Sequence, residues 1–543
     1  MDSTVSNLVH PNLTVTKEKG ALTKDKVVYQ VVGVSTEVEY KVHNNNIDNL
    51  EKAVLERVFF VEENGIFREP VRPAPRVIER TLKRFRDELL SHLHPTTPIT
   101  RDEFAAMYRG RRQTIYKTAA ESLVRNPLSD KDAFISVFGK VEKTNVTAKP
   151  NAVMRVISPR GPRFNVEVGK YLKPLEPKIY AAVTKVFGEQ TIFKGLNAKE
   201  RGAMMRKKWE KFSDPVAIGI DAKRFDQHVS DGALKWEHSV YQGVYGSREK
   251  YLRTLLGYQI RNTCIGRTPN GKLKFTIVGC RMSGDMNTAL GNCLIMCGLV
   301  HAYMSSIKVR KYSLANDGDD CTIIVERRFV PRVKGLLAEW FALRGFTMKV
   351  EEPVDRIECI DFCQSHPIFD GKDYIMVRDP RVTLSKDAIS VKPLDSERIY
   401  RRWIGTVGDG GLSLTGGMPV LQEYYESFRR AAGDIKRLEN EPTLETGMAM
   451  LARGMHRKYG EVDWRTRVSF YYAFGMMPDY QRQLEAYYRN HTPTWEQPID
   501  GPHVPSVICN VEIDHGVNAQ DQNGFRANQN AERLHGSARR GSV

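Results

Sequence analysis

The sequence predicts a mixed α/β protein, one large α/β body followed by a helical C-terminal lobe. Three observations carry this. From about residue 130 to 350, β-rich segments alternate with helical ones. From about 395 to 490 the chain turns helical and rich in Tyr, Arg and Leu. Its 543 residues, 41% hydrophobic and 27% charged, are enough for a large core.

The elements follow in order. Residues 1 to about 27 are polar and Lys-rich, a mobile lead-in. VYQVVGVSTEVEYKV (28–42) alternates as strands do, and LEKAVLERVFFVEE (50–63) starts with helical periodicity. REPVRPAPR (68–76) is a Pro-punctuated connector, and the basic stretch RVIERTLKRFRDELLSHL (76–93) reads as an amphipathic helix. PTTPITRDEF (95–104) begins another helix, which carries RGRR (109–112). VAIGI (216–220) is a buried strand. Helical character runs from Asn287 to about Val300, apolar nearly all round. Past Pro493 the chain is loop-like, and residues 516–543 have the composition of disorder. There are no internal repeats.

Lys and Arg total 82 against 65 Asp and Glu, giving +17, an excess that favours a polyanionic partner, either nucleic acid or an acidic membrane surface. Eight cysteines form no disulfide framework or zinc-ribbon spacing; reduced thiols in a cytosolic setting are expected. The N-terminus lacks a signal-peptide pattern, and no transmembrane segment is expected, since no stretch approaches the uninterrupted apolar length a bilayer requires. A partner or a surface patch would then bring the chain to a membrane.

Against this positive background, NDGDDC (316–321) crowds Asp317, Asp319 and Asp320 around one glycine, between the apolar runs YSLA and TIIVE. A hairpin turn with Asp317-Gly318 as its bend explains part of this. Two stretches upstream supply the rest. In PVAIGIDAKRFDQHVS (215–230), Asp221 stands where the strand ends, with Asp226 five residues on. In GCRMSGDMNTALGNCLIMCGLV (279–300), Ser283-Gly284 forms a small turn, and Thr288 and Asn292 share one helix face. Between Lys140 and Lys173, eight Lys or Arg stand against two Glu, and Pro and Gly interruptions argue against a simple surface helix.

A strand-end Asp-x4-Asp, then Ser-Gly-x3-Thr-x3-Asn, then a Gly-Asp-Asp hairpin resembles the order of elements in the RNA-dependent RNA polymerase palm. The strings VHNNNIDNLEKAVLERVF, YRGRR-x3-Y, KPNAVMRVISPRGPRFNVEVGKYLKPLE, RMSGDMNTALGN and NDGDDC together resemble the polymerases of tombusvirus-like plant viruses, umbraviruses included, over about residues 30 to 490. The resemblance implies a right-hand fold of fingers, palm and thumb, the palm built on an antiparallel sheet. It implies replication of a positive-strand RNA genome by two-metal nucleotidyl transfer from NTPs. Its divisions would be residues 1–95, an N-terminal extension and fingers-linking region; 96–212, fingers; 213–376, palm with a fingers insertion at about 231–278; 377–492, helical thumb; and 493–543, a tail.

On this resemblance Asp221 and Asp319, with Asp320 as a secondary ligand, hold two Mg²⁺ ions, for which Mn²⁺ is a substitute. Hard carboxylate oxygens suit such ions about 3.5–4 Å apart. Asp226 lies near the ribose 2′-hydroxyl, Asn292 and Thr288 share that discrimination, and Ser283 and Gly284 sit beside the template or nascent base pair. Arg155, supported by Lys143 and Arg163 and then by Lys140 and Lys149, meets the incoming triphosphate. Lys349 protonates leaving pyrophosphate, or is a plain surface lysine at a strand start. IDFCQSHPI (360–368) resembles the next hairpin, which supports the primer strand. Asp317 is a turn residue.

The implied partners are template and nascent RNA, NTPs and a viral accessory replicase protein, with host membrane reached only through such a partner. The setting is the host cytoplasm, at membrane-associated replication complexes. Many members carry the polymerase behind a replicase protein that holds the membrane-targeting part. This chain starts near the polymerase region, as expected of a separately made or trimmed product or of one recruited by a partner. Two other classes compete. A reverse transcriptase excludes the 2′-hydroxyl, against which Asn292 and Asp226 argue. A non-catalytic RNA-binding factor would have lost some of Asp221, Ser283, Asn292, Asp319 and Asp320, and all are present.

Overall fold

The computed structural model describes residues 1–31, 38–246, 249–439 and 451–495. The chain divides into two compact units. The first comprises residues 1–27, 41–196 and 204–364; the second comprises 28–40, 197–203 and 365–543. Part of the strand pattern expected at 28–42, and the expected tail from 496 on, lie outside the described residues.

The first unit begins with strand β1 (Leu13–Lys17) and helix α1 (Ile47–Val54), N-capped by the Asn46 side chain. Helix α2 (Val77–Ser91) buries Ile78, Leu82, Phe85 and Leu89, the helical spacing expected of its sequence, and leaves its charges outside. The helix expected from residue 101 onward is two helices. α3 (Arg101–Ala106) carries a Thr100–Glu103 capping box, and α4 (Gly110–Arg125) opens on Gly110 with a positive φ, so RGRR straddles the break.

Strands β2 (Ile135–Gly139) and β3 (Val156–Ile157) precede the 26-residue helix α5 (Pro162–Phe187). From Pro162 onward the basic run is helical despite Pro174 and Pro177, but as a largely buried helix rather than a simple surface one. Phe164, Val168, Leu172, Leu175, Ile179 and Val183 bury one face of α5 in the main core, and that packing outweighs the proline penalty of about 3 kcal/mol each.

Strand β4 (Pro215–Ala222), the short helix α6 (Phe225–His228), helices α7 (Asp231–Tyr245) and α8 (Lys250–Ile260), and strands β5 (Arg261–Thr268) and β6 (Gly271–Val278) follow. Helix α9 (Thr288–Ser306) runs six residues beyond the expected Val300 and precedes strands β7 (Ser313–Asp317), β8 (Asp320–Glu326) and β9 (Met348–Val350). A five-stranded sheet has the order β1-β6-β5-β2-β3, and a four-stranded antiparallel sheet the order β7-β8-β4-β9.

The second sheet positions the site. Val216, Ile218, Ile220 and Ala222 are buried on one face of β4, as period-2 alternation requires. Ile218, Ile220 and Ala222 share a core with Cys321, Ile323 and Val325 of β8 and with Leu290, Cys293, Leu294 and Cys297 of α9. α9 is long and apolar enough to cross a membrane by length and composition, contrary to the expectation that no stretch approaches this. Yet 72% of its most apolar window is buried within the protein. It is a core helix, and its all-round hydrophobicity is that of a helix surrounded by protein. The seven cysteines among the described residues are free thiols.

In the second unit a hairpin pairs β10 (Ser365–Phe369) with β11 (Tyr374–Arg378), so the hairpin expected from residue 360 starts at Ser365. Helices α10 (Glu397–Thr415), α11 (Leu421–Ala432), α12 (Trp464–Phe474) and α13 (Pro478–Asn490) fill the region expected to be helical. α10 and α11 approach closely because a Cβ at Gly411 would lie 2.2 Å from the Tyr425 ring.

One packing contact in the first unit is directly testable. A Cβ at Gly169 of α5 would stand 2.2 Å from the fully buried Phe104 ring. Gly169→Ala improves helix propensity by about 1 kcal/mol, but overpacking costs about 1–3 kcal/mol. The net expectation is a lower melting temperature, read by calorimetry or dye-monitored unfolding. An unchanged or raised value would show that Phe104 moves aside freely.

Candidate active site

The carboxylates meet at one end of the four-stranded sheet. β8 and β4 pair so that Asp320 stands directly opposite Asp221, and β9 pairs so that Lys349 stands opposite Asp221 on its other side. Opposed residues in antiparallel strands project to the same face, so Asp320, Asp221 and Lys349 form a row across three strands. β7 and β8 are joined by a two-residue turn, Gly318-Asp319, with positive φ (81°) at Gly318 and not at Asp319. That is the II′ pattern, which wants Gly first. The bend is therefore Gly318-Asp319 rather than Asp317-Gly318, and it carries Asp319 at the tip.

Asn316 and Asp317 have structural partners that the sequence reading missed. The Asn316 Nδ2 donates to the Gly318 carbonyl at 2.7 Å, and the Gly318 N–H donates back to Asn316 Oδ1 at 3.3 Å, bracing the turn. Asp317 pairs with Lys194.

The site is electrostatically tense. Burial pushes the Asp319 carboxyl up to about 6, and the charges of Asp226 and Asp221 add to this. Burial likewise raises Asp320 to about 7; the Cys363 N–H, donating to Asp320 Oδ2 at 2.8 Å, works against the shift, while Asp319, Asp221 and Asp361 reinforce it. Among the described residues no three His, Cys, Asp or Glu side chains close on one point as a finished metal cage. An all-oxygen, partly exposed set whose members repel one another still fits a hard divalent cation. Mg²⁺ keeps several waters and takes one or two carboxylates plus substrate phosphates.

Asp226, at the start of α6, accepts from Asn292 Nδ2 at 2.9 Å, joining the Asp-x4-Asp stretch to α9. Burial raises the Asp226 pKa, opposed by the Asn292 hydrogen bond and the charges of Arg281 and Arg155. Ser283 Oγ donates to the Val156 carbonyl at 3.1 Å. Gly284 bridges Pro159 so closely that a Cβ would lie 2.6 Å from the Pro159 Cα. Thr288 does not join the Asp226–Asn292 pair: its hydroxyl turns back to the Met282 and Asp285 carbonyls at 3.1 and 2.9 Å and closes its own loop.

The basic residues divide. Arg155 is 59% exposed, its nearest carboxylate Glu142 at 3.5 Å; Lys140 pairs with the same Glu142 at 3.2 Å. Lys143 is half-buried and Lys149 exposed in the β2–β3 connection. Arg163 is held internally: it donates to Asp132, Ser122 Oγ and the carbonyls of Asn126 and Pro127 at 2.7–3.0 Å. The structure thus makes Arg163 a clamp between α5 and the preceding loop, not a free cation. Lys349 is 64% exposed, 3.8 Å from Glu351.

Sequence reasoning missed Arg57, Arg160 and Arg224. Arg160 is buried and holds Asp285 of the Ser-Gly-Asp turn at 2.6 Å. Arg57 donates to the Val153 carbonyl at 2.7 Å; burial, then the charges of Arg224 and Arg155, press its guanidinium down to about 10. Arg224 lies between Asp221 and Asp226 with a positive φ of 46°, and its buried Nη1 has no hydrogen-bond partner among the described residues. Arg224 stands within the quoted Asp-x4-Asp stretch, where it could have been noticed. Nothing near Arg57 in the sequence marks it.

Comparison with known proteins fits this geometry. A family model described as viral RNA dependent RNA polymerase matches residues 13–496. The RNA-directed RNA polymerase of Tobacco necrosis virus (strain A) is 39% identical over 519 residues, covering 94% of this chain and 71% of the relative. That of Maize chlorotic mottle virus is 41% identical over 91% of this chain and 51% of the relative; that of Turnip crinkle virus is 42% identical over 86% and 60%. The chain thus spans between about half and seven-tenths of the length of these curated relatives. With the match running through nearly all of its described residues, the chain belongs to the viral RNA-dependent RNA polymerase family.

Proposed function

We propose that this chain synthesises RNA on an RNA template from NTPs, replicating the genome of a positive-strand RNA plant virus. The observation that carries the reading is the strand register that puts Asp221 and Asp320 side by side, with Asp319 in the adjoining turn and the Asp226–Asn292 pair at the start of α6. In a right-hand description, the four-stranded sheet with α9 is the palm within 213–376. The five-stranded sheet joins β2 and β3 of the 96–212 fingers to β5 and β6 of the 231–278 insertion, which supports grouping those segments. The helices of 377–492 make the thumb, and 1–95 the N-terminal extension.

Asp221, Asp319 and Asp320 would hold the divalent ions, Mg²⁺ or Mn²⁺ in its place. Bound there, two such ions supply positive charge that activates the attacking 3′-hydroxyl and neutralises the triphosphate. Arg155, whose guanidinium is largely exposed, would meet the triphosphate oxygens, and the charges of Arg57 and Arg224 would add to the positive field there against Glu142, Glu56 and Glu62. Asp226 and Asn292 offer an acceptor and a donor for the ribose hydroxyls, and Ser283 and Gly284 lie on the base-pair side. Lys349, in register with Asp221, would deliver a proton to the leaving pyrophosphate. An accessory viral replicase protein is the proposed link to membrane-associated replication complexes in the host cytoplasm.

Asp319→Ala is expected to lower template-directed NTP incorporation by at least about a thousandfold, since electrostatic stabilisation of this kind is the largest catalytic contribution. RNA affinity should change less than about twofold and keep its steep salt dependence. Substantial synthesis by the variant would remove Asp319 from the metal site.

pH provides a second check. The carboxyls of Asp319 and Asp320 are raised in the folded protein, so the stability they contribute is present below about 4 and lost as pH rises through about 6 to 7. A cation needs them ionised. Mg²⁺ should therefore raise the melting temperature more at pH 8 than at pH 5.5, and its affinity should climb between those values. A pH-independent Mg²⁺ effect would contradict the assignment.

A further inference from the structure

The Asn292 amide can face Asp226 in two orientations, and only the one presenting Nδ2 donates to the carboxylate. We propose that the buried ion pair Arg281–Glu237 selects that orientation, making both residues positioning residues for ribose recognition. The inference rests on the reading of Asp226 and Asn292 as the ribose contacts.

Arg281 Nε donates to Asn292 Oδ1 at 3.0 Å, and a guanidinium can only donate. The amide oxygen is thereby fixed toward Arg281, leaving Nδ2 for Asp226 Oδ1. A flipped amide would set N–H against N–H on one side and oxygen against carboxylate on the other, both costly in a buried setting. Arg281 also grips Asp226 directly, its backbone N–H donating to the Asp226 carbonyl at 2.8 Å.

Glu237 aims the guanidinium. Both side chains are fully buried, with Arg281 Nη2 on Glu237 Oε2 and Nη1 on Oε1 at 3.3 Å. Glu237 Oε1 also accepts from the Tyr241 hydroxyl at 2.7 Å and Asn287 Nδ2 at 2.6 Å. α9 makes room for the pair: a Cβ at Gly291 would lie 2.3 Å from both Arg281 Nη2 and Glu237 Oε1. A buried ion pair is poor grounds for stability, because apolar replacements of equal volume are often as stable. What this pair supplies is direction.

The test measures kcat/KM for an NTP and its 2′-deoxy counterpart on an RNA template, with a melting curve for each variant. Arg281→Lys keeps the charge and loses the Nε donor. It should cut the NTP-to-dNTP ratio by about tenfold, the equivalent of one lost hydrogen bond, with dNTP use within about twofold of the parent. Glu237→Gln keeps the acceptor for Tyr241 and Asn287 and should shift the ratio less, in the same direction; Gly291→Ala should act by displacement. Equal loss for both substrates, an unchanged ratio in folded variants, or failure of all three to fold would overturn the proposal in favour of a purely structural pair. Asn292→Ala separates the two levels. If it leaves the ratio unchanged, the ribose reading itself fails; if it collapses the ratio while folded Arg281→Lys does not, only the positioning role fails.

Discussion

The strand pairing that sets Asp320 opposite Asp221 is the constraint on which the rest of the site depends. Side chains on a strand alternate between faces, so a slip of one residue in β8 would carry Asp320 into the core and Cys321 to the open face. The register is held by burial. Ile218 and Ile220 on β4 and Ile323 and Val325 on β8 share the core with α9, and a one-residue slip would turn one strand's set away from it. Apolar packing beneath the sheet thus forces like charges together above it. Burial first, and this repulsion after it, raises the carboxyls of Asp319 and Asp320, and a divalent cation would relieve the repulsion.

A second polar layer extends this arrangement through α9. Arg160 holds Asp285, Thr288 closes the loop that follows Ser283, and Arg281 with Glu237 supports Asn292. Two of these contacts tie the turn before α9 to other parts of the first unit, the segment after β3 and α7, and the third closes the turn on its own carbonyls. The turn is consequently held from two sides and closed on itself, while its Ser283-Gly284 end packs on residues 156–159. The groups proposed to face a substrate sit on backbone that is itself braced.

Much of this was legible in the sequence, and the exceptions have physical reasons. The buried strand ending at Asp221, the helix after Asn287 and the Gly-Asp-Asp hairpin are local patterns, and residue order reveals them. The position of the bend was not, because Asp-Gly and Gly-Asp are both good turn dipeptides, and only strand pairing decides between them. The helix through Pro174 and Pro177 was hidden because tertiary burial overrode local propensity. Arg163 reads the same in a sequence whether it waits for a phosphate or clamps a loop; its four internal acceptors lie 31 to 41 residues away. Glu237 and Arg281, 44 residues apart, could not be paired from order alone.

α9 carries a further consequence. A helix apolar nearly all round has little surface it can show to water, so it does not persist as a folded piece apart from the sheet and the helices around it. Asn292 and Thr288 ride on that helix, and the strands it covers carry Asp221 and Asp320. The carboxylate end and the hydrophobic centre are therefore one cooperative body: a partly folded chain would have neither, and any local opening that uncovers α9 takes the carboxylate cluster apart at the same moment.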